Sequence, residues 1–578
     1  MYQSIRNSME QSAVGFIPGK RGDNMFLGLD VGGTFTDGVV VADGKVVSMV
    51  KTPTTKENLL QCILTVVDKM VEDTGSKAFE RIALSTTIVT NAIVEGNIDQ
   101  VGLCIMPGPG MNLKDILPVA PYILSGYIDH RGREMAQPNK EEVLSACRHF
   151  SSCDVFVVSG KFAVRNPCFE SAVTDWIQEQ ASPMHISAGG KVSGSLNFLR
   201  RTNSAYYNGA VWRHFNAFAT AVEEALKMRG IYSPVFVLKA DGGTLPLSVA
   251  RNYPVEAIFT GPAASTIGIM GMNGDAAVSG ISLDIGGTTT DIALWQKGRP
   301  VLAKEGAAVA GHRTGVQGFR LKSVGIGGDS LVFWENHVLK VGPMRHGPAM
   351  AAGGPKPTVT DAMVAAGFID FGDRALAVKA MMLLALQGQS PEAMASQVID
   401  KAVDGICQAI ADLLDEQAAE PLYHVEEIVC ETKFVLENII GVGGGAAGLV
   451  PLVAKKLGIS YTLPENGKVA NAFGAAVARP TIAITLRADT AEGHYTVPEL
   501  GIKNRLPRGN FSLQNTYELA EKHLAELAQR NSISVGETQI VQSEEFNMVR
   551  GFTTVGKIMT CRLQVKPGVL QYGEEELC

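Results

Sequence analysis

The chain has 578 residues, 46% hydrophobic and 19% charged, the balance of a globular protein with apolar material for more than one core. A net charge of −7 with no long basic run excludes nucleic acid as a main partner, and no run of 18 or more apolar residues offers a membrane span. Nine Cys without a CxxC pair argue against a disulfide framework or a zinc ribbon and for a reducing compartment, so the cytoplasm is the expected location.

In chain order, residues 1–25 lack an apolar core and read as a flexible extension. FLGLDVGG (26–33) is an apolar run ending in glycines, and GVVVADGKVVSMVK (38–51) reads as two strands joined at Asp43-Gly44. The intervening glycines therefore sit in a hairpin, unlike Rossmann or Walker loops, which open a helix. Residues 57–73 have helical spacing, and RIALSTTIVTNAIVEG (81–96) reads as strand, Ser/Thr loop and helix. QVGLCIMP and DVFVVSG are further buried strands, so strands alternate with helices in an α/β architecture.

AVSGISLDIGG (277–287) and TDIALWQKGRPVL (290–302) repeat the opening unit, with a turn at Lys297-Gly298. LDVGGTFTD (29–37) and LDIGGTTTD (283–291) are nearly the same phrase, and in each the final Asp precedes the turn Gly by seven residues. This repetition predicts a duplicated supersecondary unit. Helical stretches follow over 373–418, then a strand–loop–helix at IIGVGGGAAGLVPLVAKKLG (439–458) and a small-residue helix at ANAFGAAVA (470–478). Residues 517–530 form an amphipathic helix and 552–565 resemble strands, in a C-terminal appendage over 481–578.

Each phrase offers an Asp at the end of a buried strand, two glycines, and hydroxyl residues before a second Asp. Gly32, Gly33, Gly286 and Gly287 let backbone N–H groups approach a phosphate, and Thr34, Thr36, Thr288 and Thr289 add hydroxyls. Asp30 and Asp284 make sense beside polyphosphate as Mg²⁺ partners, through water. Asp37 and Asp291 are candidates for a general base or for turn-stabilising carboxylates. Two facing hairpins would hold ATP between them, with Gly443, Gly444 and Gly445 lying against the adenosine.

In this order the segments resemble the signature of the actin-like ATPase superfamily, which includes sugar kinases and heat-shock chaperones. The resemblance implies two duplicated actin-like (ribonuclease H-like) domains around an interdomain nucleotide cleft, at 26–202 and 203–480, with the stretch before 277 as the first connecting helix. Further segments narrow it: KTPTTKENL, TTIVTNAIVEG, RTNSAYYNGAV, LKADGGTLPLSVA, TGPAAS and KPTVTDA resemble, in order, the A-type members of the hydantoinase/oxoprolinase family over about 26–480. That family includes ATP-dependent hydantoinases, 5-oxoprolinases and subunits of ketone carboxylases. The resemblance implies that Mg-ATP phosphorylates the carbonyl oxygen of a cyclic amide, whose ring water then opens. The alternatives are a carbonyl-phosphorylating subunit of a carboxylase-type or kinase-like complex, and a non-catalytic ATP-driven switch. The implied partners are a cyclic amide or carbonyl substrate, a second copy of the chain, and a B-type subunit.

The chain departs from the family at GIGGDSL (325–331), which puts Asp329 at a usual Gly position, and in the shorter MRHGPAMAAGG (344–354). Asp329 is a candidate for metal or substrate, or a loop carboxylate. His346 is the histidine of the divergent loop, whereas His130 and His312 have no metal-ligand spacing. Asn91 and Asp361 match family segments and either line the cleft or cap helices. Arg201 meets an anionic substrate group or makes a salt bridge.

Overall fold

The computed structural model describes residues 25–33, 35–55, 59–113, 116–273, 279–419, 434–507 and 509–570. The expected extension therefore lies outside the described residues but for Met25. Strands β1 (Met25–Val31), β2 (Phe35–Ala42) and β3 (Lys45–Pro53) run antiparallel in turn. β1 and β2 are buried on both faces, as continuous apolar strands demand, and β3 alternates at the sheet edge. Helix α1 (Leu59–Thr74) buries a stripe of Cys62, Ile63, Val66, Val67 and Met70. Strand β4 (Arg81–Thr86) is parallel to β1 and leads into α2 (Ile88–Val94). After α3 (Trp212–Met228), β5 (Val235–Leu238) joins β4 in parallel and β6 (Thr244–Pro246) closes that edge. The sheet order is β6-β5-β4-β1-β2-β3. Residues 235–246 thus belong to the sheet of the first hairpin, although they fall after position 203. A smaller sheet of parallel pairs, from residues 101–106, 122–123, 155–160 and 185–188, flanks it.

Helix α4 (Thr260–Asn273) precedes the second hairpin, β7 (Gly280–Ile285), β8 (Thr290–Gln296) and β9 (Arg299–Pro300). β10 (Asn438–Val442), helix α5 (Ala446–Leu457) and β11 (Ser460–Thr462) complete the unit. The order β9-β8-β7-β10-β11 repeats β3-β2-β1-β4-β5, with the same antiparallel and parallel senses. Even the tight turns match. Asp43 and Gly44 have φ of 47° and 76°, and Lys297 and Gly298 have 51° and 74°, the paired positive angles a two-residue hairpin turn favours. The helical region predicted over 373–418 is two helices, Arg374–Leu384 and Pro391–Ala418.

Helix α6 (Ala470–Val477) lies between the two sheets beside α4. Ala263, Ala264, Ala472 and Phe473 cluster with Phe26 and Val39 of the first sheet, while Ile269 and Ala470 cluster with Trp295 and Val442 of the second. The approach is backbone-close. A Cβ on Gly474 would lie 1.9 Å from the Ala264 carbonyl, one on Gly268 2.1 Å from that of Ala470, and one on Gly28 1.9 Å from that of Ala472.

Residues past 481 form a five-stranded antiparallel sheet: β12 (Ala483–Asp489), β13 (His494–Val497), β14 (Ile502–Arg505), and, after α7 (Leu513–Arg530), β15 (Thr538–Arg550) and β16 (Thr553–Val565). Leu486, Leu524 and Leu563 belong to the same continuous apolar cluster as Leu27, Leu84 and Val237. The segment read as an appendage is therefore built into the core of the first sheet; residues 571–578 lie outside the described residues. Among the described residues no helix is long and apolar enough to cross a membrane, and the seven described cysteines are unpaired.

Gly474→Ala should lower stability by about 1–3 kcal/mol, because the neighbouring carbonyl cannot move without shifting α4. Gly261→Ala, on the same helix pair with no atom within 4 Å of the added carbon, should leave it nearly unchanged; paired thermal melts of the two variants check the contrast.

Candidate functional site

Strand register places Asp30 directly opposite Asp37, and Asp284 directly opposite Asp291. Like charges facing across a strand pair destabilise it, yet both hairpins keep the arrangement. Asp30 and Asp284 stand at the C-terminal ends of β1 and β7, the strand ends at which open α/β sheets bind ligands. Asp30 is 8% exposed and its Oδ1 has no hydrogen-bond partner; Asp37 is as buried, and its Oδ1 is likewise unpartnered.

Burial is the first cause that raises Asp30 to about 7, with the charges of Asp37 and Asp284 adding to it and hydrogen bonds from Ser85 and Asn471 opposing. Asp284 also rises to about 7, through burial and then Asp291, opposed by hydrogen bonds from Asn471 and Ser265 and by the charge of Lys51. Asp291 rises to about 6 by burial, with Ser323 opposing. Burial raises Asp37 as well, and Lys51, 2.7 Å from its Oδ2, pulls it back. Asn471 on α6 lowers both Asp30 and Asp284, and the charge of Asp284 reaches Asp30, so the two hairpin ends lie close together.

The turns repeat in detail. The Gly32 N–H donates to the Phe35 carbonyl at 3.1 Å, and the Gly286 N–H to that of Thr289 at 3.0 Å. Gly33 is exposed with nothing near it, and Gly287, Thr288 and Thr289 are half-buried. Thr34 lies outside the described residues. Thr36 is fully buried, its Oγ1 2.9 Å from that of Thr54. It braces β2 against the chain after β3 and does not offer an open hydroxyl. Gly443, with φ of 89°, comes so close that a Cβ would lie 2.6 Å from Asp284 Oδ1. The Gly445 N–H donates to the Ile285 carbonyl at 2.9 Å, and Gly444 is exposed beside them, so 443–445 abuts the second hairpin.

The divergent loop also meets that hairpin. The N–H groups of Gly328 and Asp329 donate to the carbonyls of Gly286 and Gly287 at 2.9 and 2.7 Å. Asp329 Oδ2 accepts from Arg345 Nε and Nη2 at 3.2 and 3.1 Å. His346 is exposed, and the loop's contact to Asp329 is made by its neighbour Arg345.

Two sequence candidates serve the fold instead. Asp361 is fully buried and accepts from the N–H groups of Met350, Ala351 and Thr358 and from the Thr358 hydroxyl, closing a capping box that fills its acceptor sites. Arg201 is fully buried, donating to the carbonyls of Ser195, Gly160 and Lys161 at 2.6, 2.5 and 2.8 Å. It reaches no surface where a substrate could meet it. Asn91 is half-buried, donates to Thr87 Oγ1 at 3.2 Å, and sits in α2, whose N-terminus adjoins β1 through the Thr87 N–H bond to the Val31 carbonyl.

Sequence reasoning missed Lys51, Arg345, Asn471, Ser85 and Ser265, all within segments it had marked. The available signal was a polar residue on an otherwise small or apolar stretch, as in ANAFGAAVA. Among the described residues no three acidic, His or Cys side chains gather into a metal cage. The unpartnered Oδ1 of Asp30 opposite a second carboxylate nonetheless suits Mg²⁺, which takes one or two carboxylates and completes its shell with water and phosphate.

Comparison with known proteins places this geometry. The hydantoinase/oxoprolinase family profile matches residues 201–484, and the profile of that family's N-terminal region matches 26–181. The alpha subunit of caprolactamase from Pseudomonas jessenii is 24% identical over 78% of this chain and 69% of its own. The acetophenone carboxylase gamma subunit of Aromatoleum aromaticum is 26% identical over 70% of this chain and 62% of its own. The chain spans 19% of the length of yeast 5-oxoprolinase (Saccharomyces cerevisiae), at 25% identity over 42% of this chain. The mixed α/β fold is shared with two solved structures. ATP-dependent caprolactamase from Pseudomonas jessenii has a TM-score of 0.71 at 20% identity, covering 94% of this chain and 88% of that one. Nucleotide-free acetone carboxylase has a TM-score of 0.69 at 17% identity, covering 95% and 88%. Matched by these two profiles over 26–181 and 201–484, the chain is a member of the hydantoinase/oxoprolinase family.

Proposed function

We propose that this chain binds Mg-ATP between its two hairpin turns and uses the γ-phosphoryl group to activate the carbonyl of a cyclic amide for ring opening by water. The observation that carries the reading is the convergence of Asp30 and Asp284, from repeated hairpins, on the one side chain of Asn471, with Asp30 Oδ1 left unpartnered. The two sheets of matching order are then duplicated actin-like domains flanking the cleft, with α4 and α6 as the connecting helices. The names of the relatives, a 5-oxoprolinase and one chain of a caprolactamase, support the substrate class.

An unstrained amide is a poor electrophile, and phosphorylation of its oxygen supplies the leaving group. The carbonyl oxygen displaces ADP at phosphorus. Water adds to the activated carbon, the ring C–N bond breaks, and hydrolysis of the acyl phosphate releases inorganic phosphate. The net change is cyclic amide, ATP and two waters to amino acid, ADP and phosphate. Bound Mg²⁺ would neutralise charge on the phosphates. Asp30, raised to about 7 by burial in the nucleotide-free chain, would regain its charge beside the metal. Lys51 and Arg345, held in the resting chain by Asp37 and Asp329, are the cations placed to turn towards the phosphates. A second reading, a phosphorylating subunit that works with a partner chain, draws support from the subunit names of two relatives.

Phosphate release by the purified chain from Mg-ATP, tested against hydantoins, 5-oxoproline, caprolactam and simple ketones, decides between these. Stimulation by one ring compound, lost in Asp30→Asn and Asp284→Asn, supports ring opening; stimulation that requires a second protein supports the partner reading. Lys51→Met should raise the KM for ATP roughly 10- to 100-fold, as loss of one charged hydrogen bond does, while Lys51→Arg retains most of it. The buried carboxylates also set a stability profile. Their folded pKa values lie above the ordinary 3.8, so the folded state holds more protons and the nucleotide-free chain loses stability as pH climbs from about 4 to about 7. Asp30→Asn and Asp284→Asn should therefore melt at least ~2 °C higher than the native chain at pH 8, while losing ATP turnover; lower melting in both would contradict uncompensated burial.

A further inference from the structure

The C-terminal sheet has two unlike faces. Leu486, Ala488, Cys561 and Leu563 pack into the core with α7. The alternate residues Thr485, Arg487, Thr496, Thr560 and Gln564 are polar, and all are buried. Arg487 is 4% exposed, its Nε and Nη1 have no partner, and burial drives its guanidinium down to about 9. Arg562, opposite Thr485 in the strand register, has an unpartnered Nε as well. Buried guanidinium N–H groups without partners are costly to keep, and of these two arginines the half-buried Arg562 is the one that lines a cavity.

Beside this face lies a cavity of about 950 Å³, bounded by α3, strand β5, the edge strand β6 and the C-terminal sheet. Its size suits a small organic ligand. Its apolar wall includes Leu226, Ile231, Phe236, Leu245, Ile482 and Leu527. Its polar wall includes Tyr253, Glu256, Glu499 and Arg562, and Thr481, which is fully buried with Oγ1 unpartnered. Lys239 and Asp241 also line it but satisfy each other at 3.0 Å, with Gln564 donating to Asp241 at 2.6 Å. Glu256 is left with Lys239 at the loose distance of 3.9 Å, and Glu499 spends one oxygen on the Thr485 N–H at 3.1 Å. Arg562, Glu256 and Glu499 thus face the chamber with spare capacity, and Lys191, Glu223, Lys227 and Arg530 also lie on its lining, so the wall carries both signs of charge beside its apolar patch. Asp30, Asp284 and Asn471 do not line it.

We propose that this cavity binds an amino-acid zwitterion with an apolar body, its carboxylate on Arg562, its ammonium on Glu256 and Glu499, and its hydrocarbon against Leu226, Phe236 and Ile482. With cations at Lys191, Lys227, Arg530 and Arg562 and carboxylates at Glu223, Glu256 and Glu499, the lining carries both signs of charge, which a dipolar ligand matches better than a lone anion or a lone amine. Ring opening of a cyclic amide releases this same class of molecule, which makes the cavity a candidate station for product. Its assignment does not depend on that reaction.

The test is calorimetric titration of the full chain without nucleotide, using 6-aminohexanoate, leucine and glutamate, with hexanoate and hexylamine as single-charge controls. At least one zwitterion should bind with a Kd below about 1 mM, and removal of either charge should weaken binding tenfold or more. Arg562→Gln and Glu256→Gln should each weaken it by a similar factor, with ATP binding and melting temperature retained; Glu499→Gln, expected to weaken it likewise, serves if either variant fails to fold. No binding of any zwitterion at about 10 mM, or hexanoate or hexylamine binding as tightly as the zwitterions, overturns the proposal. So does binding indifferent to the variants. Because nucleotide is absent, failure of the ring-opening reading would appear in phosphate release and leave this measurement untouched.

Discussion

The site rests on one constraint, the backbone-close packing of α4 against α6 between the two sheets. Gly268 and Gly474 let the helices approach until a single added carbon would overlap a carbonyl, and Gly28 lets β1 do the same from the first sheet. Interiors packed to this density do not deform continuously. The separation of the hairpins is therefore set by this layer and not by the hairpins themselves. Asn471 and Ser265 ride on the two helices, and so reach the carboxylates with little freedom of their own.

Upon that frame the protein keeps an electrostatic arrangement that folding alone would reject. Four carboxylates stand in two cross-strand pairs, all shifted upward and three of them to about 6 or 7. Natural chains sit close to a stability threshold, so such repulsion persists where a ligand relieves it. Lys51 moderates it in the resting chain, pairing with Asp37 and also lowering Asp284, while Arg345 pairs with Asp329 of the loop that packs on the second hairpin.

The hairpins were legible because a repeated phrase carries both the strand pattern and the turn residues. The matched sheet order follows from it. What local pattern could not reveal was saturation. Asp361 and Arg201 look like site residues in a string of letters, yet neighbouring backbone groups occupy most of their hydrogen-bonding capacity. The cations were missed for the opposite reason: Lys51 lies on an edge strand and Arg345 in a loop, and only tertiary contact joins them to Asp37 and Asp329. The C-terminal sheet was undervalued because its pairing links residues some eighty positions apart, as in Ile484 with Leu563. Periodicity reports a strand's faces and says nothing of its distant partner.

That same pairing bears on how the chain assembles. The second hairpin's sheet, 280–462, is contiguous in sequence, whereas the first sheet's core takes residues from 27 to 258 and again from 482 to 565, with Val309 and Val316 added from the segment between. In topological terms the later unit is inserted into the earlier one. During synthesis the second unit has all its strands and helices before the first does. The first must wait with part of its apolar surface uncovered, closing contacts of very large sequence separation last. Such contacts are slow to form and leave the waiting surface prone to association, so the half of the molecule that is made first is the half that is finished last.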